Sequence, residues 1–167
     1  MVKFKYKSVM RLIVVMISLL CALMSYGQNG TYNNRTTSYY SIDYPKEWVV
    51  IENPDNMSDV YIGEERLGCM ILMFEASESL EQINRISNAS LEEGGFEIKS
   101  SQLVYINGQS CYKSIFEFNL RGVHYKQVSY TFKKGIMCYN VKFGNDKDLI
   151  TSKRHVIDRM INSFRMK

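Results

Sequence analysis

Three glycine-bearing turns at near-even spacing constrain this chain more than any other feature. Asn107-Gly108, Arg121-Gly122 and Lys134-Gly135 separate four runs of alternating, aromatic-rich residues at 96–106, 110–120, 123–133 and 136–143. Glycine tolerates the positive φ that two-residue hairpin turns demand, so each dipeptide reverses the chain and lays one run beside the last. Four runs joined this way make an antiparallel β-meander. If Arg121-Gly122 is a two-residue turn, Leu120 faces Val123, Phe118 faces Tyr125 and Glu117 faces Lys126. The last is an opposite-charge cross-strand pair, expected to contribute roughly 0.2–1 kcal/mol. The same counting puts Cys111 and Cys138 two strands apart, about 9–10 Å across the sheet, and on opposite faces. A disulfide needs Cα atoms within about 7 Å, so tight turns exclude that pair.

The residues before the meander add further strands and one helix. YYSIDYP at 39–45 alternates and turns at Pro45-Lys46, WVVIE at 48–52 follows, and Pro54-Asp55-Asn56 marks a loop. VYIGEE at 60–65 leads to CMILMFEA at 69–76, a nearly continuous apolar run that suits a central strand covered on both faces. Ser79 and Gln82 then form a capping box. Leu80, Ile83, Ile86 and Leu91 make one apolar stripe, and Gly94-Gly95 stops the helix. After the meander, Leu149, Val156, Ile157, Met160 and Phe164 follow helical spacing over 146–164, with Asp146 and Asp148 suiting the N-terminal end. The expected fold class is α+β: an antiparallel sheet of about six strands, mostly meander, sandwiched between helices.

The N-terminus reads as a separate segment. Lys3, Lys5, Lys7 and Arg11 precede the apolar run LIVVMISLLCALM, and Ser25-Tyr26-Gly27 places small residues at −3 and −1 of a cleavage site before Gln28. That pattern is a secretory signal peptide over 1–27, its apolar run short for a membrane span. An uncleaved anchor is the rival reading. A lipid anchor on Cys21 is another, but Leu20 sits where a lipobox carries a small residue. Residues 28–38 are polar and aperiodic and read as a disordered leader, with a single domain over 39–167. The segment 1–27 holds four basic residues and no acidic one, so the formal charge of +4 falls to zero without it. A nucleic-acid binder shows a basic excess; this body does not. Its charges are unevenly placed, with 13 acidic and 3 basic residues over 43–97, then 13 basic and 4 acidic over 99–167.

Tyr40-Ser41-Ile42-Asp43-Tyr44-Pro45-Lys46-Glu47-Trp48 resembles the F-x-I-x-x-P-x-x-W opening of the PsbP-like family. The stretch from Ile106 to Phe164 is similar as well: ING, a meander, GIMCYNVKF, then a helix ending in Ile161-Asn162-Ser163-Phe164. The family groups photosystem II extrinsic subunits with bacterial exported proteins, and a nuclear-import factor that binds the GTPase Ran shares its fold. The resemblance covers most of 39–166 and implies an antiparallel sheet packed between helices on both faces. It also implies a binding protein, since the family's best-known members are not enzymes. No functional residue of those members has a match in this sequence.

Candidates for chemistry are few. His124 sits beside a hairpin turn and His155 on an arginine-rich helix, neither near a legible nucleophile motif. Cys69, Cys111 and Cys138 lie in apolar runs, where a thiol behaves as a small hydrophobe; whether any forms a disulfide stays open. Glu64-Glu65 and Glu92-Glu93 are adjacent pairs at element ends, and no metal-ligand or phosphate-loop spacing occurs. Tyr39, Tyr40 and Tyr44 near Trp48 either line an aromatic pocket or anchor the first hairpin. The expectation is therefore no catalytic residue, no metal and no cofactor. The leading reading is an exported binding or accessory module, periplasmic or secreted, acting through a protein partner in the cell envelope, with no nucleic-acid partner. It meets the membrane only through the signal peptide before cleavage. A carrier of a small apolar or aromatic ligand between sheet and helix is the alternative, and a hydrolase with an unannounced site is a third.

Overall fold

The turn chemistry carries directly into backbone geometry. In a computed structural model that describes residues 32–52, 58–63 and 67–167, both residues of Asn107-Gly108 and of Arg121-Gly122 have positive φ. The strands they join are β6 (Glu97–Ile106), β7 (Gln109–Leu120) and β8 (Val123–Lys134). Leu120 faces Val123, Phe118 faces Tyr125 and Glu117 faces Lys126. The third turn sits one residue later than the sequence suggests. Lys134 faces Met137, so Gly135-Ile136 is the turn, with glycine at the first central position where a II′ geometry needs it. It leads into β9 (Met137–Asp146).

Four further strands lie between residue 40 and the helix α1 (Leu80–Glu93). They are β2 (Tyr40–Pro45), β3 (Val49–Glu52), β4 (Ser58–Ile62) and β5 (Gly68–Glu75). The principal sheet has seven strands in the order β3-β4-β5-β9-β8-β7-β6, antiparallel throughout. Its meander is thus four strands long, and β5 joins it at β9. A second sheet of three strands contains β1 (Tyr32–Thr36), β2 and β10 (Arg165–Met166), so the architecture has more strands than the expected six. Residues 32–36, read above as part of a leader, form β1; the signal-peptide segment 1–27 and residues 28–31 lie outside the described residues. Residues 34–167 form one compact unit.

The C-terminal helix is broken in two. Asp146 caps α2 (Lys147–Ser152) by accepting the Asp148 N–H at 2.9 Å, and α3 (Arg154–Ser163) starts after Lys153. Thr151 and Ser152 donate their hydroxyls back to the Lys147 and Leu149 carbonyls, competing with the helical ladder where it breaks.

One face of the large sheet meets α2, α3 and the small sheet through the apolar core. Phe132, Tyr139 and Tyr40 pack on Phe164, while Ile150, Ile157 and Met160 are buried in the same cluster. Arg35 and Tyr40 tie the small sheet to this face. The Arg35 guanidinium donates to both Asp59 oxygens at 3.1 and 3.2 Å and to Glu52 at 2.7 Å. The Tyr40 hydroxyl donates to Asp59 and meets that of Tyr61 at 2.8 Å.

Candidate functional site

The other face of the sheet is different in kind. Under α1 its floor is polar: Asn84 donates to Ser101 Oγ at 2.9 Å and accepts from Ser114 Oγ at 3.1 Å. Alongside, Ser129 donates to Asn140 Oδ1, and Asn140 Nδ2 donates to Thr131. Buried polar groups have to be satisfied, and these satisfy one another; the bonds from Asn84 to Ser101 and Ser114 tie α1 to β6 and β7. The capping box at Ser79 and Gln82 forms as the sequence suggests. The stripe of Leu80, Ile83, Ile86 and Leu91 does not act as a single buried face, however. Ile83 and Asn84 are buried, whereas Ile86 is 58 % exposed. The apolar side of α1 overlooks the space beside it.

That space is a groove of about 470 Å³ between α1 and strands β5 and β9. Phe74 and Ile83, with Ile86 and Leu91, form its apolar walls, Glu78 and Lys142 its charged lining. Its size lies within the roughly 300–1,000 Å³ typical of ligand sites. Lys142 has no hydrogen-bond or ion-pair partner among the described residues, and burial pushes its ammonium pKa down.

Beyond the groove, no described element covers β3, β4 and β5 on this side. Cross-strand pairing puts Val49 with Ile62, Ile51 with Val60, and Val60 with Met70. Directly opposed residues share a face, so these side chains form one apolar strip with Leu72 and Phe74. Val49 is 61 % and Ile51 51 % exposed, and Ile62, Met70 and Phe74 are each more than a third exposed.

A smaller pocket of about 190 Å³ on the opposite side is lined by Lys113, Lys126 and Arg154 among others. Two of those cations are already engaged: Lys113 lies 5.4 Å from the Tyr130 ring centre, and Arg154 pairs with Asp158 at 3.4 Å.

The residues singled out from sequence are dispersed. Tyr40 is fully buried, Trp48 is buried, and Tyr44 packs edge-on against Tyr61 at 5.3 Å. They belong to the core and its margin, and only Tyr39 is exposed. Cys69, Cys111 and Cys138 are free, buried thiols. Burial raises all three, Cys111 to about 12, so none is a thiolate at neutral pH. His124 pairs with Glu117 at 3.2 Å and His155 is exposed on α3. Glu117 does face Lys126, but the cations on its carboxylate are Lys99 at 3.9 Å and Lys147 at 3.5 Å, and the His124 imidazole lies 3.2 Å away. Glu92 and Glu93 are exposed at the end of α1, and Glu64-Glu65 lies outside the described residues. Among the described residues no three His, Cys, Asp or Glu side chains gather as metal ligands, and no helix is long and apolar enough to cross a membrane. Neither the groove nor the strip was visible as a site in the sequence. The apolar run at 69–76, read above as a strand covered on both faces, buries Cys69, Ile71 and Met73 on one face but leaves Met70 and Phe74 more than a third exposed on the other.

The architecture is the PsbP-like fold. Cyanobacterial PsbP from Synechocystis sp. PCC 6803 superposes with a TM-score of 0.65 at 10 % identity, over 82 % of this chain and 93 % of that one. LpqN of Mycobacterium tuberculosis, a protein involved in cell envelope biogenesis, gives 0.56 at 9 % identity over 81 % and 90 %. A Bacteroides thetaiotaomicron structure gives 0.61 at 18 % identity, covering 82 % of this chain, which spans about half (49 %) of that one. Mog1 shares the fold as well, with a TM-score of 0.56 at 12 % identity, over 80 % of this chain and 95 % of that one. No protein-family model matches the sequence. No curated protein matches it either.

Proposed function

We propose that this chain is an exported, non-catalytic binding or accessory module that acts through a protein partner in the cell envelope. The observation that carries the reading is the exposed apolar strip of β3, β4 and β5, which no described element covers. Contiguous exposed apolar surface on a folded domain marks an interaction face, because leaving it in water is costly. Val49, Ile51, Ile62, Met70 and Phe74 supply such a surface. Export rests on the basic-then-apolar opening of the sequence, and the envelope setting is in keeping with LpqN, which shares the fold. The non-catalytic reading rests on free, buried thiols and on the lack of a legible nucleophile motif near His124 or His155 in the sequence.

The test is affinity retention from a native envelope extract, comparing the wild-type protein with an Ile51→Asp/Met70→Asp double variant. Both side chains are exposed, so the variant keeps the fold, which circular dichroism checks. A protein held by the wild type and lost by the variant supports the reading. A partner held equally by both, or none held by either, contradicts it.

A further inference from the structure

The groove beside α1 asks for a ligand of its own, and this inference does not rest on the protein-partner reading. Its direction can be traced. Glu78 precedes the N-cap Ser79, and Leu91 stands near the C-terminal end of the helix, so the groove follows α1. Ile83 to Leu91 spans about 12 Å at 1.5 Å per residue. On the sheet side Phe74 pairs with Cys138 and Met70 with Lys142. Lys142 therefore stands about 13 Å along β9 from the row of Phe74. The groove thus has apolar walls along its length, an unpartnered ammonium toward the end of α1, and a carboxylate where α1 begins.

We propose that this groove binds a single-chain amphipathic carboxylate, of the class of medium-chain fatty acids, with its headgroup on Lys142 Nζ and its chain along Leu91, Ile86, Ile83 and Phe74. Each part of the ligand answers a feature of the site. One lysine is a point charge with three donors and lacks the planar fork of arginine, which suits one carboxylate better than a doubly charged phosphate. The apolar walls require an apolar body, and Glu78 at the far end repels a second acid group. The ligand therefore carries one charged head on one chain. The headgroup supplies the partner that Lys142 lacks among the described residues, in surroundings where a charge-assisted hydrogen bond is strong.

The experiment is equilibrium titration of the protein, prepared without detergent, with sodium laurate below its micellar concentration. Lauryl alcohol is the neutral control, and vesicles of phosphatidylglycerol and phosphatidylcholine are the membrane control. Laurate should bind saturably, one per chain, at least about tenfold more tightly than the alcohol, as the loss of one charged hydrogen bond implies. Lys142→Gln should remove that preference without abolishing alcohol binding. Ile86→Asn, a neutral change at an exposed position that leaves the fold in place, should weaken laurate and alcohol alike. No saturable laurate binding overturns the proposal, as does an unchanged preference in Lys142→Gln. Attachment to vesicles with no binding of free laurate also overturns it, since the surface then reads a membrane and not a single chain.

Discussion

Trp48 and Gly63 show how closely the first hairpin is fitted. A Cβ on Gly63 would stand 2.3 Å from the Trp48 indole, and the indole is buried and has nowhere to go. Gly63→Ala should therefore destabilise the protein by about 1–3 kcal/mol, the usual cost of overpacking. Urea unfolding followed by Trp48 fluorescence measures it as a lower midpoint with an unchanged slope. Trp48 was legible in the sequence as an anchor. Its need for a glycine was not, because residues 48 and 63 meet only after β3 and β4 have paired. The tyrosines near Trp48 misled in the same way. Aromatic residues at alternating positions fit a pocket and a core equally well, and the Tyr40 hydroxyl is committed to Asp59 and Tyr61.

Helix α1 was legible in its ends but not in its orientation. Ser79, Gln82 and Gly94 announce where it begins and stops, through chemistry confined to a few neighbouring residues. Which side it buries depends on the sheet beneath. Ser101 and Ser114 come from two different strands, and they draw Asn84 inward in place of Ile86. Asn84→Ala should lower stability by about 1–3 kcal/mol, because its hydrogen bonds to Ser101 and Ser114 are lost in a buried position and leave the two serines only each other, 2.9 Å apart. Hydrogen exchange should show protection falling first in α1, while β8 and β9 keep theirs. Uniform loss across all elements would contradict this local role. The break at Lys153 escaped the pattern for a related reason. Apolar spacing continued through it, while the hydroxyls of Thr151 and Ser152 turned back on the backbone.

Across the fold, local pairing was readable and distant pairing was not. The Arg121-Gly122 turn specifies β7 against β8 residue by residue, but β5 against β9 joins positions about 70 apart, and no turn encodes that. Burial of phenols gives the assembled core a pH signature. Tyr40, Tyr61, Tyr130 and Tyr139 all have raised pKa values, first through desolvation. An unfolded tyrosine releases its proton near pH 10, whereas these four hold theirs when folded. The unfolded state then binds fewer protons, so stability falls as pH rises above about 10. Lys142 acts in the opposite sense, since its lowered pKa makes stability rise with pH until the unfolded lysine also loses its proton. Four tyrosines outweigh one lysine. The melting temperature should drop steeply in alkali together with the tyrosinate absorbance change, and a flat profile through that range would contradict a core so built. The uncovered strip of β3, β4 and β5 is what sets this molecule apart from a merely packed one, and site-specific photo-crosslinking in living cells probes it. A photoactivatable side chain at Ile51 or Met70 should give adducts with one and the same envelope protein, and one at Thr151, on the opposite side, should give none. Adducts equally strong from Thr151, or none from Ile51 and Met70, would show that the strip is not where this protein meets its partner.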